Sequence, residues 1–164
     1  MIYGAPLIQR HSVSTIQIGH RLNMRNWFGS NPRGVNHRSI LATWSANACI
    51  MLGDDVGMTG TVLVAQTTIQ VGNRVFIGAN SNIVDTDFHP LAAEKRSQSP
   101  SDGDSRPILI GDDVFIGMNT LILKGSTIGA GSIIGAGSVV SGDIPAGVIA
   151  AGNPARALRS LENP

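Results

Sequence analysis

The chain has 164 residues and carries 12 Lys and Arg against 11 Asp and Glu, so its formal net charge is +1. A chain this close to neutrality offers no electrostatic footprint for nucleic acid or for an anionic membrane, and neither is expected as a partner. Hydrophobic residues make up 42% and charged residues 14%, which excludes a disordered chain, and the single cysteine excludes an internal disulfide.

The N-terminal segment Met1–Pro6 lacks the charged and apolar regions of a signal peptide. No stretch of the sequence approaches the roughly 18 apolar residues that a membrane-spanning helix requires. We therefore expect a cytoplasmic protein without a membrane span, folded as a single domain over residues 1–164.

Aliphatic side chains recur at every sixth residue along most of the chain. Ile18 and Met24 begin the pattern weakly, and it continues through Ile40, Ala46, Leu52, Met58 and Val64. After a slip of one residue near Gln70, it resumes with Val71, Ile77 and Ile83. Its clearest part consists of six consecutive hexapeptides that open with Ile110, Ile116, Ile122, Ile128, Ile134 and Val140. The fifth place of these hexapeptides holds small or β-branched residues, and glycine fills the second place in four of the six.

A period of six residues is neither helical nor the period of two that an ordinary β-sandwich shows. Three hexapeptides make one triangular coil of three short strands, and parallel stacking of such coils would advance by about 4.8 Å per coil. The first position would point inward, and the small fifth position would fit beside a tight corner, where glycine supplies the required dihedral angles. The sequence thus predicts an all-β parallel solenoid of about five to six coils.

The repeat is first interrupted at residues 25–39, a polar and basic segment that includes Trp27 and Phe28. An aromatic surface beside hydrogen-bonding groups suits a sugar ring, and loops on rigid scaffolds often carry specificity. We consider these two residues as candidate acceptor-binding residues. The alternative, that they plug the N-terminal end of the prism, is left open.

The second interruption, at residues 89–109, follows the sequence Asp85-Thr-Asp-Phe-His89. Histidine has the right ordinary pKa to act as a general base near neutral pH, and His89 alone among the four histidines stands where the repeat stops. Either Asp85 or Asp87 could orient its imidazole, as the second member of a catalytic triad does. The alternative is a surface histidine in a loop; the other three histidines are interpreted as solvated or structural.

After Asn153-Pro154, residues 155–162 show apolar side chains at helical spacing. This spacing predicts a short C-terminal helix or cap within residues 153–164, since a solenoid needs a polar end. Cys49 lies in an aliphatic run and is interpreted as a small hydrophobic core residue rather than a nucleophile.

The hexapeptides, the His89-Pro90 segment and the sequence Ala151-Gly-Asn-Pro-Ala-Arg156 together resemble the left-handed β-helix acyltransferase superfamily, in its maltose, galactoside and polysaccharide-sugar O-acetyltransferase branch. The resemblance implies a left-handed β-helix, acetyl-CoA as acyl donor and a homotrimer. Because no residue suggests a covalent intermediate, we expect direct transfer in a ternary complex, with His89 as the base. No metal is expected: the carbonic anhydrase branch needs three histidines, two of them closely spaced, and no second histidine lies near His89.

The resemblance also assigns residues by position. Met118 would present its backbone N–H to the oxyanion, and Ala136 would contact the pantetheine arm. Ser141 and Gly142 stand where relatives frequently carry a Thr-Lys pair, so this chain lacks the phosphate contact of that lysine. The candidates for binding the cofactor phosphates are Arg156 and Arg159, with Lys124 as a further one. Phe115, beside Met118, would face His89 in the same subunit or in a neighbouring one.

The function that these patterns favour is transfer of an acetyl group to a hydroxyl or amine of a sugar or nucleotide-sugar acceptor. Met58 and Gln66 stand near positions where the maltose and galactoside branch carries Asn and Asp, so a precursor of a polysaccharide or O-antigen is preferred over those free sugars. Two alternatives remain at this point: a β-helix that serves only as a binding or assembly module, and a transferase for a longer acyl donor.

Overall fold

A computed structural model of the protein describes residues 1–99 and 101–161. Within them the strands form three sheets, which are parallel except for the last pair of strands in sheet A. Sheet A has the order β1 (Ile2–Tyr3), β4 (Asn23–Arg25), β7 (Gly57–Thr59), β10 (Phe76–Ile77), β13 (Phe115–Ile116), β16 (Ile133–Ile134), β18 (Val148–Gly152) and β19 (Ala155–Ser160). Sheet B has the order β2 (Leu7–Arg10), β5 (Ile40–Thr43), β8 (Val62–Ala65), β11 (Asn82–Val84), β14 (Leu121–Leu123) and β17 (Val139–Val140). Sheet C has the order β3 (Thr15–Ile18), β6 (Cys49–Leu52), β9 (Thr68–Val71), β12 (Ile108–Ile110) and β15 (Thr127–Ile128).

The chain visits sheets A, B and C in turn, so each coil of the prism contributes one strand to each wall. Ile77, for example, pairs in parallel with Met58 of the preceding coil and with Ile116 of the next one. The predicted triangular coil is confirmed, and the fold is the left-handed parallel β-helix. Sheet B, with its six strands, sets the number of coils at about six.

The inward positions of successive coils stack into aliphatic columns that form the core. The six residues that open the C-terminal hexapeptides are all at most 3% exposed, as predicted. Further upstream the predicted phase is wrong at three positions, because Ile40 is half-buried, Ala46 is exposed and Val64 stacks on Val84 rather than on the inward Ile83. Leu41 takes the inward position instead and pairs with Leu63, since the corner at residues 44–48 breaks the six-residue spacing.

The corners between strands explain the other two preferences of the repeat. Ser126, Ser132 and Ser138 are buried, and their hydroxyl groups donate hydrogen bonds to backbone carbonyls at 2.6–2.7 Å. Glycine is needed where coils approach closely: a Cβ on Gly117 would lie 2.4 Å from the backbone nitrogen of Ala136. The small residues therefore let the coils stack at the backbone repeat distance.

Two excursions leave the prism at different edges, named here by the walls they join. Residues 26–39 lie between β4 and β5, at the A/B edge, and include a single 3-10 turn at Phe28–Ser30. Residues 85–107 lie between β11 and β12, at the B/C edge, and include α1 (Ala93–Gln98). The second excursion begins four residues before the predicted interruption at 89–109 and ends two residues before its predicted end. Among the described residues, no helix is long and apolar enough to cross a membrane.

The C-terminal segment forms a strand, so the predicted helix is wrong. The chain reverses after Gly152, whose φ is +110°, and β19 pairs antiparallel with β18 at the end of sheet A. The backbone groups at the open edge of β18 form hydrogen bonds with this segment, and these bonds favour a strand over the helix that its weak apolar spacing suggests. Residues 162–164 of the predicted cap lie outside the described residues. Cys49 is half-buried on β6, so its assignment to the core is also wrong.

We expect Gly117→Ala to lower the free energy of unfolding by about 2–3 kcal/mol, because the added methyl group meets backbone rather than a movable side chain. Gly142→Ala is the matched control: a Cβ there meets no atom within 4 Å, and a change within about 0.5 kcal/mol is expected. Urea denaturation of both variants measures the difference. Equal stability of the two variants would contradict the proposed role of the corner glycines.

Candidate active site

A cleft of about 250 Å³ opens at the B/C edge beside the second excursion. Its lining residues are Trp44, Gln66, Phe88, His89 and Ser101. Trp44 directly follows β5 and Gln66 directly follows β8, so the two side chains come from equivalent corners of successive coils. The excursion adds Phe88, His89 and Ser101, and the cleft therefore combines a fixed wall with residues of the loop.

His89 is held by a tight turn in the backbone. Its N–H donates to the carbonyl of Asp87 at 2.7 Å, and Phe88 between them has a φ of +61°, which is uncommon for a bulky residue. The N–H of Phe88 donates to the hydroxyl of Thr86 at 3.1 Å. Gly103 packs on the other side, where a Cβ would lie 2.6 Å from the backbone nitrogen of His89. Strained, well-supported turns of this kind are typical of functional sites.

Asp85 is fully buried and braces the corner beneath the cleft. Its carboxylate accepts the backbone N–H groups of Gln66 and Thr67 at 2.7 and 2.8 Å, and also the Thr67 hydroxyl at 2.8 Å. These three hydrogen bonds place Gln66 in the wall of the cleft. Asp85 therefore acts on the site through the corner that carries Gln66.

Asp87 belongs to an ion-pair cluster at the base of the excursion. The ammonium group of Lys124 donates to the carboxylates of Asp87 at 2.7 Å and of Asp104 at 2.5 Å, and its side chain is only 13% exposed. Hydrogen bonding to Lys124 lowers the pKa of Asp104, and the hydrogen bonds to Asp104 and Asp87 raise the pKa of Lys124. The cluster joins both ends of the excursion to the coil above it.

The candidate oxyanion donor, Met118, stands at the A/B edge. Its backbone N–H donates to no other described residue, and the same is true of Ala136 in the equivalent corner one coil further along. The first excursion reaches this corner as well: the guanidinium of Arg33 lies 2.9–3.2 Å from the Met118 sulfur. Met118 and Ala136 thus form a row of available backbone donors along one edge.

The other residues that the resemblance assigned to cofactor binding are divided between two edges. Arg156 and Arg159 are both exposed on β19, which pairs with β18 at the end of sheet A, and Arg156 lies opposite Ala151 of β18. Ser141 and Gly142 follow β17, at the B/C edge, two coils beyond Asp85. Within one chain these two groups stand on opposite sides of sheet B.

The predicted acceptor-binding aromatics lie away from His89 in the same chain. Trp27 and Phe28 are 66% and 78% exposed in the first excursion, at the A/B edge. Phe115 lies on the outer face of sheet A, stacked in register on Phe76, beside a second depression of about 290 Å³. The three residues therefore share the side of the prism that carries Met118.

Two residues beside the site were not found from the sequence. Trp44 lines the cleft with His89, and Arg33 contacts Met118. The signal for Trp44 was present, because it directly follows a strand of sheet B, but the predicted phase of that strand was one residue out. Arg33 had no signal, since a contact across 85 residues depends on how the excursion folds back.

No group of three or more His, Cys, Asp or Glu side chains in the described parts of the chain could hold a metal ion.

Comparison with known proteins identifies the family to which the chain belongs. The model of the bacterial transferase hexapeptide (six repeats) matches residues 107–142. The crystal structure of a hexapeptide-repeat containing acetyltransferase from Vibrio cholerae is 31% identical, with a TM-score of 0.68, and the match covers 87% of this chain and 72% of that one. The chain belongs to the hexapeptide-repeat acetyltransferase family.

Further members of the family are similar over most of the prism. A maltose O-acetyltransferase from Clostridium difficile is 28% identical, with a TM-score of 0.65, over 94% of this chain and 71% of that one. A second Vibrio cholerae structure, described as complexed with acetyl coenzyme A, is 28% identical, with a TM-score of 0.56, over 94% of this chain and 70% of that one.

Among curated proteins, the galactoside O-acetyltransferase of Escherichia coli is 41% identical over 101 residues, which are 62% of this chain and 48% of that protein. The chain spans about half the length of the curated relatives it matches.

We expect Lys124→Met to destabilise the protein most at neutral pH. The stabilisation from Asp104 is present above its ordinary pKa of 3.8 and is lost as the pH falls through its lowered folded value. The stabilisation from Lys124 is present below its ordinary pKa of 10.5 and is lost as the pH rises through its raised folded value. The difference in melting temperature from the unmodified protein should therefore shrink at both extremes of pH.

Lys95→Met is the control for this measurement, because Lys95 is exposed on α1 and forms no ion pair with the described residues. A pH-independent difference for Lys124→Met, or the same profile for both variants, would contradict the role of the ion-pair cluster.

Proposed function

We propose that this protein transfers the acetyl group of acetyl-CoA to a hydroxyl or amine of a sugar-type acceptor, with His89 as general base. The observation that carries the proposal is the position of His89: its side chain lines a cleft at a coil edge, on a braced turn, beside an exposed aromatic ring. The relative described as complexed with acetyl coenzyme A and the sugar acetyltransferases among the relatives support the donor and the acceptor class.

The residues present fit a thioester donor. Among the described residues, the backbone N–H groups of Met118 and Ala136 along the A/B edge donate to no other residue, and an added Cβ on Gly137, next to Ala136, would meet no atom within 4 Å. Arg156 and Arg159 lie exposed on the last strand of the same wall, where guanidinium groups suit phosphate. Lys124 is a poorer phosphate ligand, because its ammonium already pairs with two carboxylates.

The proposed chemistry needs a base, a hydrogen-bond donor for the oxyanion and a leaving group. The leaving group is the thiolate of acetyl-CoA. His89 accepts the proton as the acceptor oxygen or nitrogen bonds to the acetyl carbon. The N–H of Met118 donates to the carbonyl oxygen while it carries negative charge, and a donor on a rigid corner needs no reorganisation. When the carbon–sulfur bond breaks, protonated His89 returns its proton to the thiolate.

Asp85 and Asp87 are positioning residues in this mechanism. Asp85 holds the corner that carries Gln66, and Asp87 ties the His89 turn to Lys124. Their contribution is to keep His89 at a fixed place in the cleft. We propose no covalent intermediate, since the mechanism requires no protein nucleophile.

The two halves of the site come from different chains in our proposal. His89 stands at the B/C edge and Met118 at the A/B edge, so all of sheet B separates them within one chain. In a homotrimer, the B/C edge of one subunit can face the A/B edge of the next. Phe76 and Phe115, 60% and 49% exposed on sheet A, provide an apolar surface for such contact.

This arrangement would also bring together the candidate cofactor-binding residues that lie at different edges of one chain. Ser141 and Gly142 lie on the same edge as His89, and they would meet the Ala136 and Arg156 side of the neighbouring subunit. Trp27, Phe28 and Phe115 would approach the His89 cleft from across the same seam. We propose a precursor of a polysaccharide or O-antigen as the acceptor rather than the free sugars of the maltose and galactoside branch, because Met58 and Gln66 stand near the positions where that branch carries Asn and Asp.

We expect His89→Ala to lower the rate of acetyl transfer by at least about 100-fold, because the variant has no group to take the acceptor proton. Release of CoA thiol in the presence of a panel of sugars and nucleotide-sugars measures the rate, and calorimetry should show acetyl-CoA binding unchanged. His20→Ala, an exposed histidine at the C/A edge, is the control and should retain full activity. Near-normal turnover by His89→Ala would overturn the mechanism, and no binding of any acyl-CoA by the unmodified protein would favour the assembly module.

We expect two inactive variants to restore each other's activity if the site is shared between chains. His89→Ala lacks the base, and Ala136→Trp blocks the proposed donor groove with an indole. Chains of the two variants, unfolded together and refolded as a mixture, should regain a measurable part of the thiol-release rate. A mixture as inactive as its components, although light scattering shows a mixed oligomer, would place the whole site within one chain.

A further inference from the structure

Trp44 is the largest apolar side chain in the His89 cleft, and it remains 62% exposed. Its backbone is fixed, because the Trp44 N–H donates to the carbonyl of Ala65 at 2.9 Å in continuation of the β5–β8 ladder. An indole of this size on a rigid corner is costly to leave in water and has no packing role in the core. Its exposure at the cleft therefore points to contact with a bound molecule.

Phe88 sets the orientation of the indole. The two ring centroids are 5.8 Å apart with an interplanar angle of 72°, an edge-to-face contact of the kind that aromatic pairs prefer. Phe88 also stands next to His89 in the strained turn, so the same backbone feature places both the indole and the imidazole. The ring of Trp44 and the base are thus held in a fixed relation to each other.

Gln66 supplies the polar part of the cleft. Its Oε1 accepts a hydrogen bond from the Thr86 hydroxyl at 2.7 Å, which fixes the side-chain amide. In the described part of the chain, the Gln66 Nε2 has no hydrogen-bond partner, so two N–H donors remain for a ligand. An apolar ring face beside a fixed amide donor matches a pyranose, which presents C–H groups on one face and hydroxyl groups around its rim.

We propose that Trp44 is the acceptor-binding platform: a sugar ring of the acceptor stacks on the indole, and the Gln66 amide donates to one of its hydroxyl groups. The stacked ring then presents a neighbouring hydroxyl or amino group to His89. The proposal rests on the proposed acetyl transfer and deepens it, because it assigns to the acceptor a cyclic sugar with an apolar face. It also places the main acceptor contact on the chain that carries the base.

The kinetic test uses the sugar in the panel that releases CoA thiol fastest. Trp44→Ala should raise the KM for that sugar about tenfold or more, with the KM for acetyl-CoA unchanged, because only the acceptor loses a stacking surface. Trp44→Phe should restore part of the loss. Leu91→Ala is the matched control, since Leu91 is 79% exposed in the same excursion and does not line the cleft.

A fluorescence test reports binding directly, because the chain has two tryptophans. Trp27→Phe leaves Trp44 as the single tryptophan, and its emission should change on addition of the same sugar but not of mannitol, an acyclic polyol. Trp44→Phe leaves Trp27, which would reach the cleft only from a neighbouring subunit, and its emission should change less than that of Trp44. A response of Trp27 alone would move the acceptor platform to the first excursion and overturn the proposal.

Three results would overturn the role of Trp44 without touching acetyl transfer itself. The first is an unchanged KM for the acceptor in Trp44→Ala, and the second is an equal rise of the KM for acetyl-CoA in that variant. The third is dissociation of the Trp44→Ala oligomer in light scattering, which would make Trp44 a subunit contact. Failure of the proposed function is distinguishable, since the unmodified protein would then release no CoA thiol with any sugar.

Discussion

Parallel backbone pairing between successive coils is the constraint on which the rest of this structure depends. Each strand hydrogen-bonds to the equivalent strand of the coil below and the coil above, so equivalent residues stack at the backbone spacing. A residue that is too large at a corner cannot move aside, because the atom it meets is backbone, as at Gly117 and Ala136. The repeat of small and aliphatic residues follows from this geometry.

The same pairing creates the functional surfaces. A corner turns the chain between two walls, and within the described parts of the chain the corner N–H groups of Met118 and Ala136 then donate to no other residue. Excursions can leave the prism only at corners, and this chain has one at the A/B edge and another at the B/C edge. Because the candidate base and the candidate oxyanion donor stand at different edges, our proposal joins them at a seam between subunits.

The charged groups where the second excursion joins the prism form short-range ion pairs and hydrogen bonds. Lys124 joins Asp87 and Asp104 across the two arms of the excursion, while Asp85 is satisfied by the corner of the preceding coil. Neither feature depends on net charge, which is close to zero for the whole chain. The result is a rigid support for a turn that holds Phe88 in an unfavourable backbone conformation.

Local sequence patterns were enough to predict the prism, its aliphatic columns in the C-terminal half, the two interruptions and the position of His89 at the second one. Each of these features depends on a short-range repeat or on its loss. The sequence did not determine the phase of β5, since the corner at residues 44–48 has its own length, and Trp44 was missed for that reason. It misjudged residues 155–160 because an open sheet edge, invisible in local periodicity, outweighed helical spacing. Only the tertiary structure separated His89 from Met118 and brought Arg33 to Met118, because such relations depend on which edge each corner occupies and on how an excursion folds back over it.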